Sequence, residues 1–390
     1  MNYYYLNIIN PKINNHNKKN IYVIGSGWGS NAFIKHIDTK KYNVIVISKE
    51  EQFLYTPLLA NNIKNDLDLE LDIKNINNKI EFEKNEVIDI NFNNNYILTK
   101  DNKYLKYDYL ILSHGATINT YNIKGVNENC YFLKSKEDSE KIKNKLKSLD
   151  YGSNICVIGC GLTGSEVIGN LIDYDKFNIF AFDSFNLPLP TFSTKNRLFT
   201  YNLWMKNSVN LNFESSVKKI DDRFLYFQKK DNTEMNRSFS GDSSLFSGVS
   251  TKENTNLQKM NYDMIIWCGG LKMSPLTEKI LKKLNINNKF GIPVNTYLNL
   301  FSSENVYAIG DCSYSGNPPT AQLAYQQGKY LAHNFNNDFK NIVPFKYNNK
   351  GSICYIGKNK SVFDNNYFQA GGNITYYLNR IIHFYNRMGF

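Results

Sequence analysis

Two stretches of the 390-residue chain share one pattern: IYVIGSGWGS at 21–30 and ICVIGCGLTG at 155–164, each a β-branched run ending in closely spaced glycines. In such a turn the first glycine permits a tight bend, and the second lets the backbone approach a pyrophosphate lying at a helix N-terminus. Gly25 and Gly27 fill these positions in the first copy, Gly159 and Gly161 in the second; the third, helix-packing position is Ser30 and then Gly164. One such turn is weak evidence, because glycines also mark ordinary strand-to-helix turns. Here there are two, each followed by a helix-compatible stretch and a second strand, VIVIS at 44–48 and NIFAFD at 178–183. That repeat predicts two dinucleotides bound by one chain. Asp183 closes the second strand of the second unit, where a carboxylate accepts hydrogen bonds from an adenosine ribose and repels a 2′-phosphate, so NADH is favoured over NADPH. The first unit ends instead in Ser48, Lys49 and Glu50, with no acidic residue closing the strand itself, and Glu50 is its candidate ribose partner.

The elements that must position these residues are those of an α/β fold with two Rossmann-like dinucleotide-binding domains. Length and a hydrophobic content of 42% allow more than one core. The net charge of +11 comes from lysines dispersed among asparagines, without the basic stripe and interleaved aromatics of a nucleic-acid binder, and reads as solvated surface. No apolar run reaches the ~18 residues of a membrane span, so membrane contact is expected only at the surface. Residues 1–20 carry three lysines and no acid, a weak match to an organelle-targeting leader, and are read as an N-terminal extension. The six cysteines form no CxxC pair, which disfavours a redox disulfide, and the five histidines are scattered, so no metal site is expected.

Along the chain, FLYTPLLA at 53–60 is too apolar for a plain linker, and 70–100 alternates in short pieces as small antiparallel sheets do. Buried strands are expected in YDYLILSHGA, YDMIIWCGG and NVYAIGD. Helices are expected at 134–149 and at 317–335, the second opening on Pro318 and Pro319. The Ser- and Asn-rich stretch 228–260 reads as a disordered insertion.

At VIGSGWGS, FLYTPLLA, VIGCGLTGSEV, AIGDC and PPTAQLAYQQG the chain resembles the type II NADH dehydrogenases, single-subunit flavoenzymes that pass electrons from NADH to quinone without pumping protons. The resemblance covers 21–390. It implies FAD at the first turn, in a domain made of 21–150 and 271–340, and NADH at the second, in 151–270. FAD would be held by Gly25, Gly27, Ser30, Glu50, Thr56, Pro57, Gly115, Asp311, Ala321 and Gln322, with Asp311 accepting from a ribityl hydroxyl. NADH would be held by Gly159, Gly161, Gly164, Glu166, Asp183 and Gly269. By the same resemblance Glu166 lies near the nicotinamide, while Gln322 and Gln326, four apart on one helix face, meet the headgroup of a ubiquinone-type quinone. The implied location is the mitochondrial inner membrane, as a peripheral enzyme of the respiratory chain.

The C-terminal region, 341–390, is expected to associate with the membrane. Ile374, Tyr377, Ile381, Tyr385 and Met388 fall on one helical face, with Arg380, His383 and Arg387 on another. By periodicity alone the same helix serves equally as a lid or a homodimer contact. The chain departs from the family pattern in lacking a Pro-Arg pair after the second strand and an arginine-containing stretch after FLYTPLLA, and in its short C-terminal region; reduced FAD affinity or lower activity, and weaker anchoring, are the expectations from these departures. The sequence also admits two rival readings. One is a sulfide:quinone oxidoreductase, a sister family with flavin-flanking cysteines, for which Cys160 and Cys354 would have to serve. The other is a slow-turnover sensor that binds FAD and NADH.

Overall fold

The computed structural model describes residues 18–230, 257–301 and 303–388. Strand Lys19–Ile24 is the centre of a five-stranded parallel sheet ordered Val306–Ala308, Tyr109–Leu112, Lys19–Ile24, Tyr42–Ser48, Glu81–Lys84. A second parallel sheet repeats this plan with Asn154–Ile158 at its centre: Tyr131–Phe132, Met264–Trp267, Asn154–Ile158, Asn178–Phe182, Asn210–Asn212. Strands covered on both faces cannot alternate apolar with polar residues, which is why Ile21 to Ile24 and Ile155 to Ile158 are unbroken apolar runs and all buried. In each sheet the strand order reverses beside the central strand, and open α/β sheets bind their ligands at the carboxyl ends of the strands at such a reversal.

Each parallel sheet is accompanied by a three-stranded antiparallel one. The first comprises Val87–Asn91, Tyr96–Thr99 and Tyr104–Lys106; the second comprises Ser215–Ile220, Phe224–Lys229 and Leu257–Asn261. Glu81–Lys84, expected as an antiparallel piece, instead extends the first parallel sheet, because Phe82 packs against its core. The insertion expected to be disordered over 228–260 is narrower than that. Gln228 and Lys229 end one strand, and Leu257 to Met260 lie in its partner, with Gln228 opposite Leu257. Residues 231–256 lie outside the described residues. The N-terminal extension is likewise shorter than 1–20, since the first strand starts at Lys19 and the Lys18 ammonium donates to the Thr39 carbonyl.

The helix expected at 317–335 runs from Ala321 to Asn336. Thr320 caps it, its hydroxyl accepting from the Leu323 N–H at 3.1 Å, so both prolines precede the cap. A third, antiparallel sheet, Ser352–Gly357, Lys360–Asp364 and Gln369–Gly372, carries the final helix, Asn373–Met388. That helix turns its polar side inward: Thr375 and Asn379 are buried, and the Asn379 amide donates to the Ser361 hydroxyl. Ile374, Tyr377, Leu378, Ile381 and Phe384 face outward and are 86%, 62%, 40%, 52% and 61% exposed. His383 does not belong to an outer basic face as expected. It docks on the loop at 53–60, with Nδ1 3.1 Å from the Tyr55 hydroxyl, and burial depresses its pKa to about 4. The side chains of Tyr385, Arg387 and Met388 lie outside the described residues. Among the described residues no helix is long and apolar enough to cross a membrane.

Candidate active site

The two glycine turns are built by the same hydrogen bonds. Gly25 N–H donates to the Ile47 carbonyl and Gly159 N–H to that of Phe182, each at 2.8 Å; Ser113 N–H donates to Ile24 and Cys268 N–H to Ile158. Gly25 and Gly159 have φ of +106° and +92°, and a Cβ on either would lie 2.4 Å from the carbonyl oxygen of Ser113 or Cys268. Only glycine fits there. By contrast, a Cβ on Gly27, Gly115 or Gly161 would meet nothing within 4 Å. Each turn therefore has one wall that demands glycine for the fold and a mouth that is open, at the N-terminus of Trp28–His36 or of Leu162–Ile172. The shape and the position at a helix N-terminus fit a pyrophosphate.

The third positions differ. A Cβ on Gly164 would lie 1.8 Å from the Gly159 oxygen, whereas Ser30 is accommodated, fully buried, with its hydroxyl unpartnered. In the first unit the tightest approach is between helices: a Cβ on Gly328 would lie 2.1 Å from the Gly29 oxygen. Neither Gly29 nor Gly328 was singled out by the motif. The spacing GSGWGS contains an extra glycine, and that was the available signal.

Around the first turn, Ile309 N–H donates to the Leu112 carbonyl and brings the Gly310–Cys312 turn, with Asp311, to the sheet's carboxyl edge. Burial raises the Asp311 pKa, and the nearby Lys134 ammonium offsets part of that. The contact between Gly29 and Gly328 lays helix Ala321–Asn336 beside Trp28–His36, setting Ala321 and Gln322 at its start. Thr56 and Pro57 lie in a short 3-10 turn reached by the Trp28 indole, which donates to the Thr56 hydroxyl at 2.9 Å. Glu50 is exposed beyond strand Tyr42–Ser48, and its N–H contacts the Ser48 hydroxyl at 3.3 Å.

At the second turn the Asp183 carboxylate accepts from the N–H groups of Cys160 at 2.6 Å and Phe185 at 2.9 Å. A carboxylate has about four acceptor positions, so two remain. Arg197, the nearest guanidinium in sequence, is committed to Asn186, Leu187 and Pro188 oxygens. Gly269 lies just beyond strand Met264–Trp267, where a Cβ would strike the Trp267 ring. Glu166 is 8% exposed in helix Leu162–Ile172, and burial raises its pKa to about 8 against the opposing hydrogen bond from the Tyr355 backbone. Its carboxyl is therefore protonated at neutral pH.

Two connections close the seam between the halves. Asn170 donates to the Asn61 side chain, Tyr174 to the Ile63 carbonyl and Asn62 to Ser139, tying the segment after FLYTPLLA to the second half. Strand Ser352–Gly357 lies on helix Leu162–Ile172 and contacts Glu166 through Tyr355. Just ahead of that strand, Gln322 accepts from Lys350 N–H at 2.7 Å and donates to the Gly351 carbonyl at 3.4 Å. Gln326 makes a two-point pair with Asn348, 2.9 Å each way. The glutamines share a face as expected, but both amides are engaged by the backbone of 348–351 rather than left free for a headgroup.

The family model for pyridine nucleotide-disulphide oxidoreductases matches residues 19–328. The chain belongs to that family. This oxidoreductase is 26% identical over 450 residues to a probable mitochondrial NADH-ubiquinone oxidoreductase of Schizosaccharomyces pombe, covering 94% of this chain and 78% of the relative. It is also 26% identical to the external alternative NADH-ubiquinone oxidoreductase of Yarrowia lipolytica, covering 92% and 75%. In fold it matches the structure of NDH2 from Plasmodium falciparum in complex with NADH, with a TM-score of 0.82, 24% identity and 94% of each chain covered.

The oxidoreductase's cysteines are all free thiols. Burial raises the pKa of Cys160 and Cys354 well above the ordinary thiol value, and their S–H groups face the Phe182 and Leu162 carbonyls at 3.6 and 3.7 Å. Sulfide chemistry needs a thiolate, so the sulfide:quinone reading is not favoured.

Proposed function

We propose that this chain is a type II NADH:quinone oxidoreductase, taking FAD at the first glycine turn and NADH at the second and reducing a ubiquinone-type quinone without pumping protons. The observation that carries the reading is the repeated turn: two open-mouthed cradles with matching hydrogen bonds. When bound, FAD supplies the two-electron relay between NADH and quinone. The protein contributes geometry and charge. Gly25, Gly27 and Gly115 admit the FAD pyrophosphate, with Ser30 behind them and Glu50 at the ribose end. Thr56 and Pro57 wall one side, and Asp311 accepts from the ribityl chain. The N-terminus of Ala321–Asn336, at Ala321 and Gln322, turns its positive dipole end towards the place where negative charge accumulates.

On the other side Gly159, Gly161, Gly164 and Gly269 shape the NADH cradle, and Asp183 receives the adenosine ribose. Glu166 holds one proton on its carboxyl beside the nicotinamide end. The Gln322 and Gln326 face, with residues 348–351 laid across it, forms the quinone wall. The outward apolar face of Asn373–Met388 rests on the mitochondrial inner membrane from which the quinone comes, and the same face offers a homodimer contact. Purified protein mixed with NADH and a soluble quinone tests the reading. Steady NADH oxidation with a bound-flavin absorbance that bleaches and recovers is expected; flavin reduction without turnover would leave only the sensor, and absence of bound flavin would overturn the proposal.

A further inference from the structure

Gln327 is fully buried two turns into helix Ala321–Asn336, next to the two glutamines already described but pointing elsewhere. Its side-chain oxygen accepts from the Gly310 N–H at 2.7 Å, and its amide donates to the Ser315 hydroxyl at 3.2 Å. Gly310 has φ of +69° and immediately precedes Asp311; its carbonyl accepts from the Ser313 hydroxyl. A Cβ on Gly310 would lie 3.3 Å from the Ala324 Cβ, so turn and helix are in close contact. The next residue, Gly328, is the one pressed against Gly29. One dipeptide thus joins the Asp311 turn, the helix and the first glycine turn.

We propose that Gln327 is a positioning residue that holds Asp311 and the start of helix Ala321–Asn336 in fixed relation, and so sets how tightly FAD is kept and at what potential it works. The inference rests on the FAD reading above. It follows from accounting for backbone groups: the Gly310 N–H is buried, and the Gln327 oxygen is the acceptor it is given. Without that acceptor the turn must move to find another partner, carrying Asp311 with it. Helix and turn then lose their common reference, and the helix dipole is no longer aimed at the site of developing negative charge.

The test is titration of flavin-stripped protein with FAD, together with redox titration of the loaded protein, for wild type, Gln327→Leu, Gln327→Asn and Gln327→Glu. Gln327→Leu leaves the Gly310 N–H unpaired, and Gln327→Asn is too short to reach it. Both are expected to raise the FAD Kd about tenfold or more and to lower the flavin midpoint potential. Gln327→Glu keeps an acceptor in place and is expected to recover most of the affinity. Binding of NADH to the flavin-stripped protein, which uses the other turn, should be unchanged and reports that each variant is folded. Wild-type FAD affinity and potential in folded Gln327→Leu or Gln327→Asn would overturn the inference. Failure of the wild type itself to take up FAD would instead overturn the cofactor reading on which it stands.

Discussion

A methyl group on Gly161 and one on Gly164 would do different damage, although the two glycines belong to one motif. The Cβ on Gly164 collides with the Gly159 oxygen at 1.8 Å, while the Cβ on Gly161 enters space where no protein atom lies within 4 Å. Gly164→Ala is therefore expected to destabilise the second domain, with a loss of roughly 1–3 kcal/mol from overpacking, read as a lower unfolding midpoint without any ligand. Gly161→Ala should unfold like the wild type and yet lose NADH affinity by tenfold or more, because the added carbon occupies the pyrophosphate's place. Equal Tm losses in both variants would remove the distinction between fold glycine and cradle glycine. The turns could be read from sequence because a sharp strand-to-helix turn calls for a positive φ that glycine adopts without strain, as at Gly25 and Gly159, although the carbonyls that exclude a Cβ there belong to the distant Ser113 and Cys268. Gly29, Gly328 and Gln327 were not legible in the same way. For Gly29 and Gly328 the requirement arises where two helices far apart in sequence touch, and for Gln327 where its helix meets the Gly310 turn; neither approach is fixed by the residues' sequence neighbours.

At the scale of elements, the clearest departure from the sequence reading concerns helix Ala321–Asn336. Its periodicity and the i, i+4 spacing of Gln322 and Gln326 were visible in the sequence; what covers that face was not, since the Asn-Asn-Lys-Gly run at 348–351 marks a turn without saying what the turn packs on. The structure lays residues 347–351 along the helix. The Gln326–Asn348 pair and the Lys350 N–H and Tyr347 hydroxyl donated to the Gln322 oxygen hold them there. The N–H groups of Asn348 and Lys350 have side-chain amides as acceptors rather than sheet neighbours, so their protection depends on two residues. In Gln326→Ala, hydrogen exchange at Asn348 should speed up by tenfold or more, while strand Ser352–Gly357, held by its own ladder, keeps its wild-type rate. A quinone that competes for the same amides would raise exchange at Asn348 and Lys350 in the wild type as well. Unaltered exchange at Asn348 in Gln326→Ala would mean that the segment is held by something other than the glutamines. The strands were better anticipated, because a doubly covered parallel sheet writes itself as unbroken apolar runs; Glu81–Lys84, with charged residues flanking a single Phe82, does not, and its place in the first sheet comes from pairing with Tyr42–Ser48.

For the molecule as a whole, burial of ionisable groups couples stability to pH in two opposing senses. His114 and His383 have folded pKa values depressed to about 4, so the unfolded chain binds their protons first and stability falls as pH drops from about 6.5 towards 4. Glu166 runs the other way: with a folded pKa of about 8 it stays protonated in the native state while the unfolded chain ionises, so stability is lost as pH rises from about 4.5 to 8. Gln in place of Glu166 keeps an acceptor for the Tyr355 N–H and has no charge to bury. Glu166→Gln should therefore raise the unfolding free energy more at pH 8 than at pH 5, by a difference on the order of a few kcal/mol, read from denaturant unfolding at the two pH values. An equal effect at both pH values would mean that the carboxyl is ionised in the fold. The largest surface consequence lies at the other end of the chain, where helix Asn373–Met388 places Thr375, Asn379 and His383 against protein and leaves Ile374, Tyr377, Leu378 and Ile381 outside. A helix packed that way needs an apolar partner on its outer side, and fully burying one such side chain is worth roughly 1.5–3 kcal/mol. Glutamate at Ile374 or Ile381 removes that gain and adds a charge that resists entry into lipid. Either variant should bind vesicles of mixed zwitterionic and anionic lipid at least tenfold more weakly while oxidising NADH with a soluble quinone at the wild-type rate. Undiminished vesicle binding with reduced self-association would assign the face to a second copy of the chain, and the membrane would then have to be met elsewhere.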